Sequence, residues 1–191
     1  MSHEIVRDLN EDIDHVLIDE TSLQTRIQAI AEEITADYDG IPDLLMICVL
    51  KGGYMFLSDL SRALKRPHTI DFMGISSYGS GTKSSGAVQI IMDLKQPITG
   101  RHVLIVEDII DSGRTLDYMR RNLLARSPTS LRICSLLNKP SRREIDVHVE
   151  YIGFDIPDEF VVGYGLDFDE LYRNLPCIAV LKPAIFAHLI H

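Results

Sequence analysis

The stretch VLIVEDIIDSGRT, Val103 to Thr115, decides how this chain folds. Val103, Leu104, Ile105 and Val106 form an unbroken apolar run, the pattern of a parallel strand buried on both faces. Leu116, Met119, Leu123 and Leu124 then recur at helical spacing, so a helix opens at Gly113 to Thr115. Between the two lie the adjacent carboxylates Glu107 and Asp108, two more apolar residues, and a third carboxylate, Asp111. The whole reads as a buried strand that delivers acids to a loop.

A turn that opens a helix presents free backbone N–H groups and the positive end of the helix dipole, which together bind phosphate. Carboxylates beside such a cradle would repel the ligand unless a hard cation intervenes. Mg²⁺, which takes oxygen ligands, is the usual one. The stretch therefore implies a phosphorylated ligand that carries Mg²⁺.

Upstream, Thr21 or Ser22 is a plausible N-cap for a helix whose stripe is Leu23, Ile27, Ile30, Ala31 and Ile34, ended by Gly40 and Pro42. A short apolar stretch around Val16 to Ile18 could add an edge strand before it. Asp43 to Leu50 is a second buried-strand pattern, and Lys51-Gly52-Gly53 breaks it before Phe56, Leu57, Leu60 and Leu64 resume helical spacing. Two glycines there let backbone approach a ligand, although a simple tight connection reads about as well. Thr69 to Ile75 and Ala87 to Leu94 read as strands around the small, polar segment Ser76 to Gly86. That segment lacks the Gly-Lys-Ser/Thr of a Walker loop, because Thr82 separates Gly81 from Lys83, and it reads as a loop that could act as a lid.

Downstream, Leu131 to Leu137 is strand-like and leaves Lys139 just past a strand's carboxyl end, the edge where open α/β sheets bind ligands. A lone lysine is usually solvated, but its position matches those of Lys51 and Asp111. Val147 to Phe154, Phe160 to Tyr164 and Cys177 to Leu181 supply further strands. The alternation predicts an α/β fold with a mainly parallel twisted sheet flanked by helices. One domain spans residues 1–191, with a core over about 40–165 and a small hood from the N-terminal segment and about 166–191.

The 28 acidic against 19 basic residues give a net charge of −9, which argues against a broad nucleic-acid footprint. The 46% hydrophobic content excludes a disordered chain, and the longest clean apolar run, Leu44 to Leu50, is too short to span a bilayer. Cys48, Cys134 and Cys177 are far apart and lie in or beside apolar runs, as buried thiols of a reducing compartment would. The opening MSHEIVRDLN lacks the regions of a signal peptide, so a cytoplasmic location is expected. His188 and His191 stand at metal-ligand spacing without further ligands, and a terminal helix is the better reading.

VLIVEDIIDSGRT resembles the phosphoribosyl-pyrophosphate signature of type I phosphoribosyltransferases, and its Glu-Asp-Ile-Ile-Asp wording resembles their hypoxanthine-guanine branch. LKGGY at Leu50 to Tyr54, SSYG at Ser76 to Gly79, LLNKPSRR at Leu136 to Arg143 and FVVGYGLDFDELYRNLP at Phe160 to Pro176 agree in order. The resemblance implies transfer of a 5-phosphoribosyl group from phosphoribosyl pyrophosphate to N9 of a 6-oxopurine, with Mg²⁺ as cofactor and a homodimer or homotetramer as the assembly. It places Glu107 and Asp108 at the ribose hydroxyls and their Mg²⁺. Asp111 would face the purine N7, as a base or a charge stabiliser, and Asp111, Ser112, Gly113, Arg114 and Thr115 would hold the 5′-phosphate. Lys51, Gly52 and Arg173 would meet pyrophosphate, with a cis bond common in the family at Leu50–Lys51. Lys139, Phe160 and Val161 would hold the purine, Asp167 would lie by the purine and a second Mg²⁺, and Ser77 and Tyr78 would ride on the lid.

A phosphoribosyl-pyrophosphate sensor acting on nucleic acid is the rival from another class. The acidic first forty residues leave no room for a helix-turn-helix with a basic recognition helix, which ranks it below the enzyme. Within the enzyme class, a pyrimidine or xanthine acceptor is the nearer competitor.

Overall fold

Because β2 (Leu44–Leu50) and β5 (His102–Ile110) are apolar at successive positions, each buries both its faces. Side chains of a strand alternate between faces, so Met46, Cys48, Leu104 and Val106 enter one core layer while Leu45, Ile47, Val103 and Ile105 enter the opposite one. These strands sit at the middle of a six-stranded sheet of order β4-β3-β2-β5-β6-β7, whose other members are β3 (His68–Ser77), β4 (Val88–Met92), β6 (Ser130–Asn138) and β7 (Tyr151–Asp155). All neighbours run parallel except β4, which is antiparallel to β3. The computed structural model describes residues 9–77 and 88–187.

Helices α1 (Glu20–Asp37) and α2 (Tyr54–Ala63) cover the first face, with Leu23, Ile27, Ile30, Phe56 and Leu60 fully buried, and α3 (Arg114–Leu124) covers the second through Leu116, Met119 and Leu123. The cap of α1 is Asp19, whose carboxylate accepts from the Ser22 N–H at 2.8 Å, so the helix starts earlier than a Thr21 or Ser22 cap predicts. The strand read over Val147 to Phe154 begins only at Tyr151, although Val147 still packs in the second core layer.

A separate antiparallel sheet of order β1-β9-β8 joins β1 (Ile13–Ile18), β8 (Val161–Val162) and β9 (Ile178–Leu181). Of the N-terminal segment assigned to the hood, Ile13–Ile18 lies in this sheet, whereas α1 packs on the main sheet against α2. One turn of helix, α4 (Pro183–Phe186), follows β9. Among the described residues no helix is long and apolar enough to cross a membrane. Cys48 and Cys134 are buried free thiols, pushed up by burial, and Cys177 is a half-buried one.

Candidate active site

Of the three acids of the central stretch only Asp111 leaves the sheet for a loop, as the sequence suggests, while Glu107 and Asp108 stay on the strand. β5 continues through them, pairing Glu107 with Ser135 and Ile110 with Asn138, while β2 pairs with it only as far as Val106. Glu107 and Asp108 thus stand on the strand at the carboxyl edge, where their neighbour β2 has diverged. Regular alternation also breaks here, since Val106 and Ile109, three residues apart, pack in the same core layer. Glu107 is buried, and burial followed by the Asp108 charge pushes its carboxyl well up. Burial likewise pushes Asp108 up to about 6, against the N–H of Ile109, which donates to its carboxylate at 2.7 Å. Two deprotonated acids here need a positive partner.

Gly52 makes room for this pair. A Cβ at that position would lie 1.6 Å from Asp108 Oδ2, so any other residue there would push the acid from its place. The Leu50–Lys51 bond is cis. Past Asp111 the chain turns through Ser112 and Gly113, whose φ of +84° suits glycine, into α3 at Arg114 and Thr115. The Ser112 carbonyl accepts from the N–H groups of Glu144 and Ile145 at 3.0 Å each, which anchors the turn. The first N–H groups of α3 have no preceding helical carbonyl and stand at the dipole's positive end, and that of Arg114 donates to the Ser112 hydroxyl at 3.4 Å. The Arg114 side chain turns aside, donating to Glu144 at 2.7 Å. A cavity of about 260 Å³ lies over these groups, lined by Gly52, Glu107, Asp108, Asp111, Ser112 and Thr115 among others.

Two cations stand beside it. Lys51 donates to Glu170 Oε2 at 2.9 Å, and Arg173 reaches the same oxygen at 3.2 Å. Arg173 also pairs with Asp167 at 2.9 Å and donates to the Gly165 carbonyl at 2.8 Å. Lys51, Asp167 and Arg173, dispersed in sequence, are therefore brought together.

A second cavity, of about 750 Å³, opens on the hood side and shares Asp111 with the first. Lys139 and Phe160 line it, along with Arg142, Glu159 and Phe186. Lys139 is not the surface lysine that its type suggests: its side chain is 10% exposed, and its ammonium donates to the Glu159 carbonyl at 2.6 Å. Phe160 stays partly exposed, with Phe186 stacked on it at 4.9 Å between centroids. Val161 lies in β8, an edge strand of the small sheet, paired with Val180.

Sequence reasoning missed Arg142, which donates to Asp111 at 3.2 Å across a one-turn 3-10 helix, Pro140–Arg142. Its signal is the Lys-Pro-Ser-Arg wording, which puts a second cation one turn beyond Lys139. Phe186 and His15 also line this cavity, and no local pattern marks them, because they arrive from the two chain ends through the β1–β9 pairing. Ser77 ends β3, while Tyr78 and nearly all of the lid segment lie outside the described residues, as do His188 and His191.

Residues 19–169 match the phosphoribosyl transferase domain family. The chain is 51% identical over 180 residues to a hypoxanthine-guanine phosphoribosyltransferase of Mycobacterium tuberculosis, covering 92% of this chain and 89% of the relative. It is 51% identical over 164 residues to the hypoxanthine phosphoribosyltransferase of Salmonella typhimurium, covering 85% and 92%. Among solved structures, a hypoxanthine phosphoribosyltransferase of Staphylococcus aureus superposes with a TM-score of 0.89 at 46% identity, covering 96% of this chain and 99% of that one. The chain belongs to the phosphoribosyltransferase family, in its hypoxanthine-guanine branch.

Proposed function

We propose that this chain is a purine salvage enzyme that transfers the 5-phosphoribosyl group of phosphoribosyl pyrophosphate to N9 of hypoxanthine or guanine, giving IMP or GMP and pyrophosphate. The observation that carries this reading is the pair of cavities that meet at Asp111. A phosphorylated donor in the first and a planar acceptor in the second would face each other across that carboxylate.

Breaking the bond from C1 to pyrophosphate develops positive charge on the ribose. The site must therefore neutralise the leaving group, hold the acceptor and exclude water. The turn from Asp111 to Thr115 takes the 5′-phosphate on the N–H groups that open α3 and on the Ser112 and Thr115 hydroxyls. Lys51, the Gly52 backbone and Arg173 take the pyrophosphate charge. Lys139 donates to the purine 6-oxo group from a position fixed by the Glu159 carbonyl. Phe160 stacks on the ring, and the stacked Phe186 indicates that a planar group fits against it. The Val161 backbone meets the ring edge. As N9 bonds to C1 and the pyrophosphate oxygen leaves with the electron pair, Asp111 accepts the proton carried at N7 or stabilises the charge there.

Glu107 and Asp108 would lie near the ribose hydroxyls and would hold Mg²⁺, and Asp167 would help to hold a second. The donor set supports this. Two adjacent carboxylates, one buried and one half-buried, are hard oxygen ligands whose charged forms want a cation. Mg²⁺ takes one or two carboxylates and completes its shell with substrate oxygens and water. When bound, the ion neutralises charge on the pyrophosphate and shields the acids from it. We further place the enzyme in the cytoplasm, as a homodimer or homotetramer, with small-molecule substrates only.

Incubation with phosphoribosyl pyrophosphate, Mg²⁺ and either hypoxanthine or guanine should yield the nucleotide and pyrophosphate. Absence of product with both bases would sink the reading, and competition by xanthine or a pyrimidine would redraw the acceptor.

A further inference from the structure

We infer that Tyr164 and Asp59 form a positioning pair that fixes the two pyrophosphate-binding arms relative to each other. The inference rests on the reading that Lys51, Gly52 and Arg173 bind pyrophosphate. The first arm is the turn 51–53 that opens α2, and the second is the segment 163–173.

Three successive residues of the second arm, Gly163, Tyr164 and Gly165, have φ of +96°, +50° and +100°. Glycine adopts such angles freely, whereas a bulky side chain does so only when its surroundings hold it there. A Cβ at Gly163 would lie 2.1 Å from the Cys177 carbonyl, and one at Gly165 would lie 2.1 Å from the Gly52 carbonyl. The arms thus touch backbone to backbone at Gly165 and Gly52. Such a contact fixes their separation but not their angle.

Tyr164 supplies the second point. Its ring is buried in the core layer that carries α1 and α2, and its hydroxyl donates to Asp59 Oδ2 at 2.5 Å. Asp59 stands on α2, the helix that begins directly after the Lys51-Gly52-Gly53 turn. Its carboxylate also accepts from Gln24 of α1 at 2.9 Å and lies 3.6 Å from Arg62, so it is itself held. Next to Tyr164, the Gly165 carbonyl accepts from Arg173 at 2.8 Å, and the Gly165 N–H donates to the Arg173 carbonyl at 2.9 Å. The hydroxyl at position 164 therefore sets where the Arg173 guanidinium points relative to Lys51. Neither Tyr164 nor Asp59 lines either substrate cavity. Their effect must pass through the arms.

The test compares Tyr164→Phe, Asp59→Ala and Asp59→Asn with the unaltered full-length protein, titrated with Mg²⁺ and inorganic pyrophosphate by calorimetry, alongside KM for both substrates. Tyr164→Phe keeps the ring and loses only the hydrogen bond. It and Asp59→Ala should each weaken pyrophosphate about tenfold, the scale seen when a residue that orients a ligand-binding group is lost. KM for phosphoribosyl pyrophosphate should rise in step, while KM for hypoxanthine stays within about twofold. Combining the two changes should cost no more than either alone, and Asp59→Asn, which keeps an acceptor oxygen, should fall between. Pyrophosphate affinity as in the unaltered protein, additive losses, or an equal rise in KM for both substrates would overturn the pair. If Tyr164→Phe does not fold, the Asp59 variants decide by the same measurements. Arg173→Ala separates the two levels: unchanged pyrophosphate affinity there would defeat the assignment of Arg173 and the inference with it. A loss with Arg173→Ala but none with Tyr164→Phe would defeat the inference alone.

Discussion

The carboxyl end of β5 and the ring of charges around it are built on opposite terms. Glu107 is buried and Asp108 half-buried, and desolvation raises both. Each lysine and arginine named at the site instead has an internal acceptor: Lys139 the Glu159 carbonyl, Arg142 the Asp111 carboxylate, Arg114 the Glu144 carboxylate, and Lys51 and Arg173 the Glu170 carboxylate. A ligand arriving at the acids relieves a cost, whereas one arriving at the cations exchanges partners. The difference places the gain from binding on the strand and the selectivity on the loops, because partner exchange succeeds only for a ligand whose acceptors match.

Asp111 sits where the two kinds meet and offers the hardest test. Asp111→Ala should lower kcat by about two to four orders of magnitude with little change in donor affinity, measured by steady-state kinetics. Unchanged turnover would show that the carboxylate only holds Arg142. Lys139→Ala should follow at about a hundredfold in kcat/KM for 6-oxopurines, as a buried charged donor is lost. An equal loss for every acceptor tried would make Lys139 a structural tie to the Glu159 carbonyl.

The acids make an opposite kind of prediction, a gain in stability. A carboxyl raised in the folded state binds its proton more tightly there than in the unfolded chain. Stability then falls as pH rises from the unfolded value near about 4 through the raised ones, about 6 for Asp108. Glu107→Gln removes that penalty. In metal-free buffer it should raise the thermal midpoint at pH 8 by about 3 °C and leave it nearly unchanged at pH 4. Mg²⁺ with pyrophosphate should stabilise the unaltered protein more than the variant. An equal gain at both pH values would assign the effect to packing.

The same contrast governs what could be read from sequence. The β5 end was legible because strand, acids, turn and helix are contiguous, and because burial on both faces leaves an unbroken apolar run. The parallel sheet followed from strand–helix alternation, since parallel neighbours need crossovers. The partner-holding contacts were not legible. The Asp59–Tyr164 and Lys51–Glu170 contacts join residues more than a hundred positions apart. Lys139 stands out by its place past the strand end, but its type suggests a solvated side chain, and only tertiary placement of the Glu159 carbonyl shows how it is buried. The Asp19 cap was missed because Thr21 and Ser22 are equally good cap types, and the choice is made where β1 ends.

Glu170 gives the smallest effect and the sharpest sign. One of its oxygens lies on both Lys51 and Arg173, and those two contacts hold its carboxyl below the usual range. If partner exchange describes the cations, this carboxylate occupies the place that pyrophosphate takes, and Glu170→Gln should tighten pyrophosphate binding. The side chains of Glu170 and Lys51 are 63% and 64% exposed, so water screens the contact and the gain should be modest, about two- to fivefold. Raising ionic strength well above 0.15 M should shrink it, since exposed charges lose most of their attraction beyond about 8 Å even at that concentration. KM for hypoxanthine should not move, because Glu170 does not line the second cavity. Weaker pyrophosphate binding in Glu170→Gln would reverse the assignment: the carboxylate would then be a support that aims the two cations, and the acids of β5 and the cations beside them would both depend on negative charge held in place.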